Sequence, residues 1–352
     1  MVETTAAIIT FQYNGQVSPG IAAVSPAKMA MQTTTITHIC RARDRFPFAM
    51  TCLNAMLPCA TVHDEFASRR TLIDDYLRNL AQRTGAPKPL LDPLQRALQS
   101  PGKRVRGILT LAAGEAAGGK AEKLIDAAAA IEMIHTCSLI LDDLPAMDDA
   151  TLRRGAPTLH REFGEDLAIL SAVSLLNQAY GLIVRNYVAL TPRQWPMPQV
   201  LRRVIDAVGW DGTIAGEAVD LHSEGSKLDF NTLEFIHSRK TGALFVAAAA
   251  VGAMLANISP AALQRIEVFA KNLGLAFQIT DDVLDVVGDP QQLGKDVGKD
   301  EERLTFVKLA GVDGARKLSE ELVETSLSSI ANLGPAAEPL RQLAIAVRDR
   351  VR

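Results

Sequence analysis

Aromatic residues are scarce in this chain, with 2 Trp, 4 Tyr and 11 Phe among 352 residues. Alanine and leucine outweigh valine, isoleucine and tyrosine, and no stretch alternates apolar and polar residues over a strand's length. Both absences weigh against a sheet and for helices. Cysteine is scarce too: Cys40, Cys52, Cys59 and Cys137 show no metal-ligand spacing. Free thiols in a reducing compartment follow, rather than a zinc site or a disulfide framework. A net charge of -3 offers no attraction to nucleic acid or to an anionic membrane. The longest apolar run, Gly242 to Ala256, is shorter than the roughly 20 residues of a membrane span, so no transmembrane segment is expected. Walker loops, dinucleotide fingerprints, and Ser–His–acid or Cys–His constellations are also missing.

What remains is helical. Phe66, Leu72, Ile73, Tyr76, Leu77 and Leu80 recur at three- and four-residue intervals. A short amphipathic helix follows from Leu90 to Leu98, and Ser100-Pro101-Gly102 is a turn that opens the next one. Further helices are expected at about 104–117, 120–143, 164–189, 198–217, 230–237, 239–256, 259–286, 311–331 and 335–350. The fold class is therefore all-α, a single domain over 61–352. Residues 1–60 differ, with only Glu3 and Asp44 acidic and no sustained helical period. They read as a disordered tail or as translated sequence upstream of a start at Met50 or Met56. A transit peptide carrying Arg41, Arg43 and Arg45 is the alternative, so the expected location is cytoplasmic unless these residues direct organelle import.

Two acidic clusters stand in apolar helices. Asp142, Asp143, Asp148 and Asp149 close one strongly apolar run, and Asp281, Asp282 and Asp285 interrupt another about 140 residues later. Carboxylates at the end of a greasy helix are costly, and the negative end of the helix dipole adds to the cost. A hard divalent cation offsets both penalties, and Mg²⁺ favours a few carboxylates plus substrate phosphates. Asp281 and Asp285 lie about 40° apart around a helix and point one way. Asp142 and Asp148 would be about 240° apart on an unbroken helix. Pro145 breaks it, so the chain can fold back and set Asp148 beside Asp142. Two such clusters facing one cavity would hold a magnesium diphosphate.

Cationic residues gather in matching places. Lys103, Arg104 and Arg106 stand at a helix start behind Gly102, where bare backbone amides also favour an anion. Arg153 and Arg154 follow the first acidic cluster; Lys240 and Thr241 open the alanine-rich helix; Lys295 follows the second cluster. Arginine takes phosphate as a fork and lysine as a point charge, which suits two diphosphates held differently. His135 lies two turns before Asp142 on nearly the same face, though a lone helical histidine is as a rule structural.

In combination and order these segments resemble the trans-isoprenyl diphosphate synthases, particularly bacterial-type geranylgeranyl diphosphate synthases of carotenoid pathways. The segments are Pro101-Gly-Lys-Arg-Val-Arg106, His135 to Asp149, Leu152-Arg-Arg-Gly-Ala-Pro-Thr-Leu-His-Arg-Glu-Phe-Gly164, Lys240-Thr-Gly242, Phe277 to Asp285, and Gly294-Lys295. The resemblance implies a helical bundle around a deep cavity, usually homodimeric, with about three Mg²⁺ ions. It implies that isopentenyl diphosphate is condensed with an allylic diphosphate (dimethylallyl, geranyl or farnesyl) in head-to-tail fashion. Asp142, Asp148, Asp281 and Asp285 would hold metal, with Asp143, Asp282 and Lys240 also in the catalytic group. Arg153, Lys240, Thr241, Gln278 and Lys295 would surround the allylic diphosphate. Gly102, Lys103, Arg106, His135 and Arg154 would hold isopentenyl diphosphate, which makes His135 functional. Three positions depart from the family's habit: Gly107 for proline, Glu217 for glutamine and Arg303 for lysine.

The resemblance also sets an expectation for product length. The growing chain should run from the metals towards the N-terminus of the 120–143 helix, one isoprene unit per turn of about 5.4 Å. In C15-forming relatives an aromatic residue five positions before the first aspartate tends to block the tunnel. Here that place is Cys137, with Ser138 beside it, and the next stop would be Met133 and Ile134. A C20 product, geranylgeranyl diphosphate, is expected. The alternatives are a C15 synthase, a class I terpene cyclase and a non-catalytic synthase subunit.

Overall fold

The computed structural model describes residues 60–83, 85–223, 230–287 and 305–350. Residues 1–59, with Cys40, Cys52 and Cys59, lie outside the described residues, as do Lys295 and Arg303. The described chain is a helical assembly. α1 (Ala60–Arg83), α2 (Lys88–Leu98), α3 (Val105–Ala116) and α4 (Ile125–Asp142) come first. α5 (Leu159–Phe163), α6 (Glu165–Leu190), α7 (Met197–Val208), α8 (Thr213–His222) and α9 (Phe230–His237) follow. A π-helical turn, Ser238–Gly242, leads into α10 (Ala243–Leu255). α11 (Pro260–Val287), α12 (Phe306–Ser329) and α13 (Glu338–Asp349) complete the set.

α4 and α10 form the centre. The alanines at 127–130 and 247–250 are essentially solvent-free. Small side chains of high helix propensity let α3, α6 and α11 pack close to these two helices. A helix that is apolar on every side, as α10 is, belongs inside a protein.

The sequence reading differs from the structure at three points. The helix expected over 198–217 is two helices, α7 and α8. They are separated by a turn in which Gly212 N–H donates to Gly209 O at 2.9 Å. The apolar period runs through this turn and hides it, although two glycines mark it. A two-stranded ladder does exist: Leu152–Arg153 pairs antiparallel with Ala156–Pro157. Arg154 and Gly155 between them have φ of 56° and 75°, as a tight hairpin turn demands. Strands of two residues are too short to show any period. Finally, α12 begins at Phe306 with a break at Gly311, where the expected helix starts.

Gly107 has a packing reason. Its N–H donates to Glu132 Oε1 at 2.7 Å, and Glu132 is buried on α4. A proline there would remove the donor and leave a buried carboxylate short of a partner. Arg104 serves the same junction: it is buried, its Nε donates to Asp74 Oδ1 at 2.7 Å, and its Nη1 stands 3.8 Å from Glu132 Oε2. Its charge is spent on structure and not on a phosphate.

Among the described helices, α6 is long and apolar enough to cross a membrane. One face explains that apolarity by burial: Ala168, Ala172, Leu175, Ala179, Leu182 and Ile183 pack into the core. Buried Asn186 also accepts from Ala127 N–H at 3.1 Å and donates to Lys123 O at 2.7 Å. The opposite face leaves Ile169, Leu170, Val173 and Val188 exposed.

Candidate active site

The first acidic cluster folds back as the proline suggests. Asp148 N–H donates to Asp142 O at 2.9 Å, and Ala150 N–H to Asp143 O at 3.2 Å. Burial pushes the Asp142 carboxyl up to about 7, helped by the charges of Glu217 and Asp148 and opposed by Lys240 and Arg153. Asp143 points elsewhere. It is buried and accepts from Arg153 Nε at 2.9 Å. Burial raises its carboxyl and Arg153 holds it down. The hairpin turn sends Arg153 back to this carboxylate and packs Arg154 against Gly102, where a Cβ would meet Arg154 Nη1 at 3.0 Å. A cleft between α2, α4 and the hairpin is lined by Arg96, Ser100, Thr136, Asp143, Arg153 and Arg154.

Opposite α4, the π-helical turn carries Lys240 and Thr241, and such turns often mark functional positions. Lys240 Nζ stands 2.7 Å from both Glu217 Oε2 and Asp220 Oδ2 on α8. Burial works against its charge, but those carboxylates keep the ammonium protonated well above the usual range. α8 comes this close because position 216 is glycine: a Cβ there would lie 2.3 Å from Lys240 N. Thr241 Oγ1 donates to Gln278 Oε1 at 3.0 Å, and Gln278 Nε2 donates to Asp282 Oδ1 at 3.1 Å. Asp282 also accepts from Phe306 N–H at 3.2 Å. Burial still lifts its carboxyl to about 7, with Asp285 and Asp281 adding to the rise. Lys240, Thr241 and Gln278 thus run from the surroundings of Asp142 to the second cluster.

A second bridge uses arginine. Arg106 Nη1 lies 3.2 Å from His135 Nε2. An arginine only donates, so Nε2 accepts and the proton sits on Nδ1. Burial and the neighbouring Arg106, Arg154, Arg104 and Arg153 hold the imidazole well below its ordinary pKa, hence neutral. Burial brings the Arg106 guanidinium down to about 10, against the pull of Glu132 and Asp281. Asp281 also accepts from Arg350 Nη2 at 2.7 Å. The scarce aromatics hold both guanidiniums: Arg106 lies 4.9 Å over the Phe245 ring and Arg350 4.8 Å over Phe277. The buried Arg106 Nε and Arg350 Nη1 have no acceptor among the described residues. Unpaired guanidinium donors in such a place suit an anion.

Arg350 is not singled out by the sequence, since a basic residue just past the end of α13 looks like ordinary dipole compensation. Lys103 is exposed at the mouth of α3, and Asp285 is exposed near the end of α11. Met133, Ile134 and Cys137 are buried along α4, and Ser138 Oγ donates to His135 O at 3.0 Å. Burial, with a contribution from Asp142, pushes the Cys137 thiol up to about 11. Tyr180 of α6 lies within electrostatic reach of that sulfur.

Among the described residues no three His, Cys, Asp or Glu side chains stand together as a ready metal cage. Arg153 occupies Asp143, Arg350 occupies Asp281, and Gln278 with the Phe306 amide occupies Asp282. The donor set is nevertheless all hard oxygen, and Asp142 and Asp148 repel each other, so a divalent cation that also binds phosphate oxygens fits it.

Residues 87–332 match the polyprenyl synthetase family. A geranylgeranyl diphosphate synthase of Cyanophora paradoxa is 41% identical over 288 residues, covering 80% of this chain and 94% of that protein. Geranylgeranyl pyrophosphate synthase 11 of Arabidopsis thaliana, chloroplastic, is 41% identical over 243 residues, 67% of each chain. The crystal structure of a geranyltransferase from Helicobacter pylori, complexed with magnesium and isoprenyl diphosphate, superposes with a TM-score of 0.69. It is 27% identical, and the match covers 84% of this chain and 98% of that one. With an all-α fold, two acid clusters each met by cationic or hydrogen-bonding side chains and these likenesses, the chain belongs to the polyprenyl synthetase family and is a prenyltransferase.

Proposed function

We propose that the enzyme condenses isopentenyl diphosphate with allylic diphosphates, head to tail, to geranylgeranyl diphosphate. The observation that carries this reading is the setting of the acids: Thr241, next to Lys240, reaches the second cluster through Gln278, and Arg106 meets His135, seven residues before Asp142, with a guanidinium nitrogen that lacks an acceptor among the described residues. Asp142, Asp148, Asp281 and Asp285 would hold Mg²⁺, about three ions by family resemblance. Bound there, the metal neutralises charge on the departing diphosphate. Arg153, Lys240 and, outside the described residues, Lys295 grip the allylic diphosphate and stabilise it as it leaves. Gly102, Lys103, Arg106, neutral His135 and Arg154 seat isopentenyl diphosphate so that its double bond faces the allylic cation. The released diphosphate accepts the proton lost afterwards. Apolar walls along α4 keep water from quenching the cation.

The test is incubation of the purified chain with labelled isopentenyl diphosphate and each allylic primer, with and without Mg²⁺, followed by chromatography of the dephosphorylated products. Cyclic hydrocarbon from one diphosphate without elongation would establish a cyclase instead. We also propose residues 61–352 as the catalytic domain, so a chain begun at Met56 should turn over equally in the same assay. The exposed apolar stripe of α6 supports a homodimer. Sedimentation at the mass of one chain would refute that. A cytoplasmic location is proposed; the chloroplastic Arabidopsis relative favours organelle import through residues 1–60 as the second reading, and fusion of those residues to a reporter separates the two.

Metal and pH are linked. The Asp142 and Asp282 carboxyls rise from 3.8 to about 7 on folding. In that window the folded chain holds protons the unfolded chain has released, so metal-free stability falls as pH rises from 4 towards 7. Above it both groups are charged and a cation relieves them. The gain in melting temperature on adding Mg²⁺ should be several degrees larger at about pH 8 than at about pH 6. An equal or inverted gain would remove Asp142 from the cation site.

A further inference from the structure

Glu217 is a surplus charge. Lys240 is already matched by Asp220 Oδ2 at 2.7 Å, yet Glu217 Oε2 stands at the same distance from the same ammonium. Its other oxygen, Oε1, is buried without a hydrogen-bond partner among the described residues, and the residue is only 9% exposed. A carboxylate oxygen left bare in such a place is unfavourable unless a cation takes it. The residue has little room to withdraw, because Gly216 holds α8 directly against the Lys240 backbone. Glu217 also acts on Asp142, as the neighbour whose charge most disfavours ionisation there.

We propose that Glu217 is a further carboxylate of the cation site, holding Lys240 with Oε2 and sharing a divalent cation with Asp142 through Oε1. The inference rests on Asp142 being a ligand, as argued above. It makes the metal-free site over-negative around Lys240, so cation and diphosphate enter together: without the cation, Lys240 is held by two carboxylates and offers little to an anion.

The test is equilibrium binding to the full chain, with no turnover required. Mn²⁺ alone is followed by electron paramagnetic resonance of the free ion, and metal-free inorganic pyrophosphate by calorimetry. Wild type, Glu217→Gln and Asp142→Asn are compared. Glutamine keeps the shape and one oxygen for Lys240, and melting temperature reports that the fold is intact. Glu217→Gln should weaken Mn²⁺ about tenfold and tighten pyrophosphate about fivefold by removing one nearby negative charge. If Glu217→Gln binds Mn²⁺ like wild type while Asp142→Asn loses it, the inference falls and the site stands. If neither variant alters Mn²⁺ binding, the reading of the site itself falls, and the inference with it.

Discussion

Asp142→Asn should lower kcat by about 10³-fold or more, the scale of losing charge stabilisation at the reacting atoms. Asp142 ends α4 at the fold-back made by Pro145, and the same turn brings Asp148 to it. Lys240, Arg153 and Glu217 all act on its carboxyl. The asparagine amide is nearly isosteric but neutral, a poor ligand for a hard cation. Stability should move the other way. The carboxylate is disfavoured by burial and by two acidic neighbours, so the metal-free variant should melt no lower than wild type at neutral pH. Its response to Mg²⁺ should shrink. Asp143→Asn should cost less, because Asp143 works through Arg153, which it orients. Steady-state turnover with farnesyl diphosphate, read beside melting curves, separates these cases. An Asp142→Asn enzyme within tenfold of wild type would end the assignment.

Local signals carried most of the fold. Helical period, the turn at Pro101-Gly102 and the break at Pro145 act within a few residues, so α1 to α4 and the fold-back were legible in sequence. The acid clusters were legible for a related reason, since charge inside an apolar helix needs a long-range answer. What the sequence hid is the identity of that answer. Arg350 reaches Asp281 from 69 residues away. Gly107 looks like a local quirk until Glu132, 25 residues on, is seen to need its N–H. Nothing near Glu217 in the chain shows that Lys240 sits against it. Contacts of this kind arise only when α8, the π-helical turn and α11 are packed. The break between α7 and α8 is a different failure: tertiary packing preserved the apolar stripe across a turn that two glycines announced.

Cys137→Phe should shift the product from C20 to C15. Cys137 lies five residues before Asp142, about 7.5 Å along the helix, and Met133 about 6 Å further. An isoprene unit takes roughly one turn, so the first blocked position sets where growth stops. Cys137, Met133 and Ile134 are buried and so line the interior of the fold. A phenyl ring at 137 must take space the growing chain would use. Forcing extra carbon into filled volume costs about 1–3 kcal/mol, enough to change the C15 to C20 ratio by about five- to 150-fold. The first condensation happens above that level, so turnover with dimethylallyl diphosphate should persist. Chromatography of dephosphorylated products decides it. A variant that still makes mostly C20 would show that α4 is not the ruler, and would move the stop to another wall of the cavity.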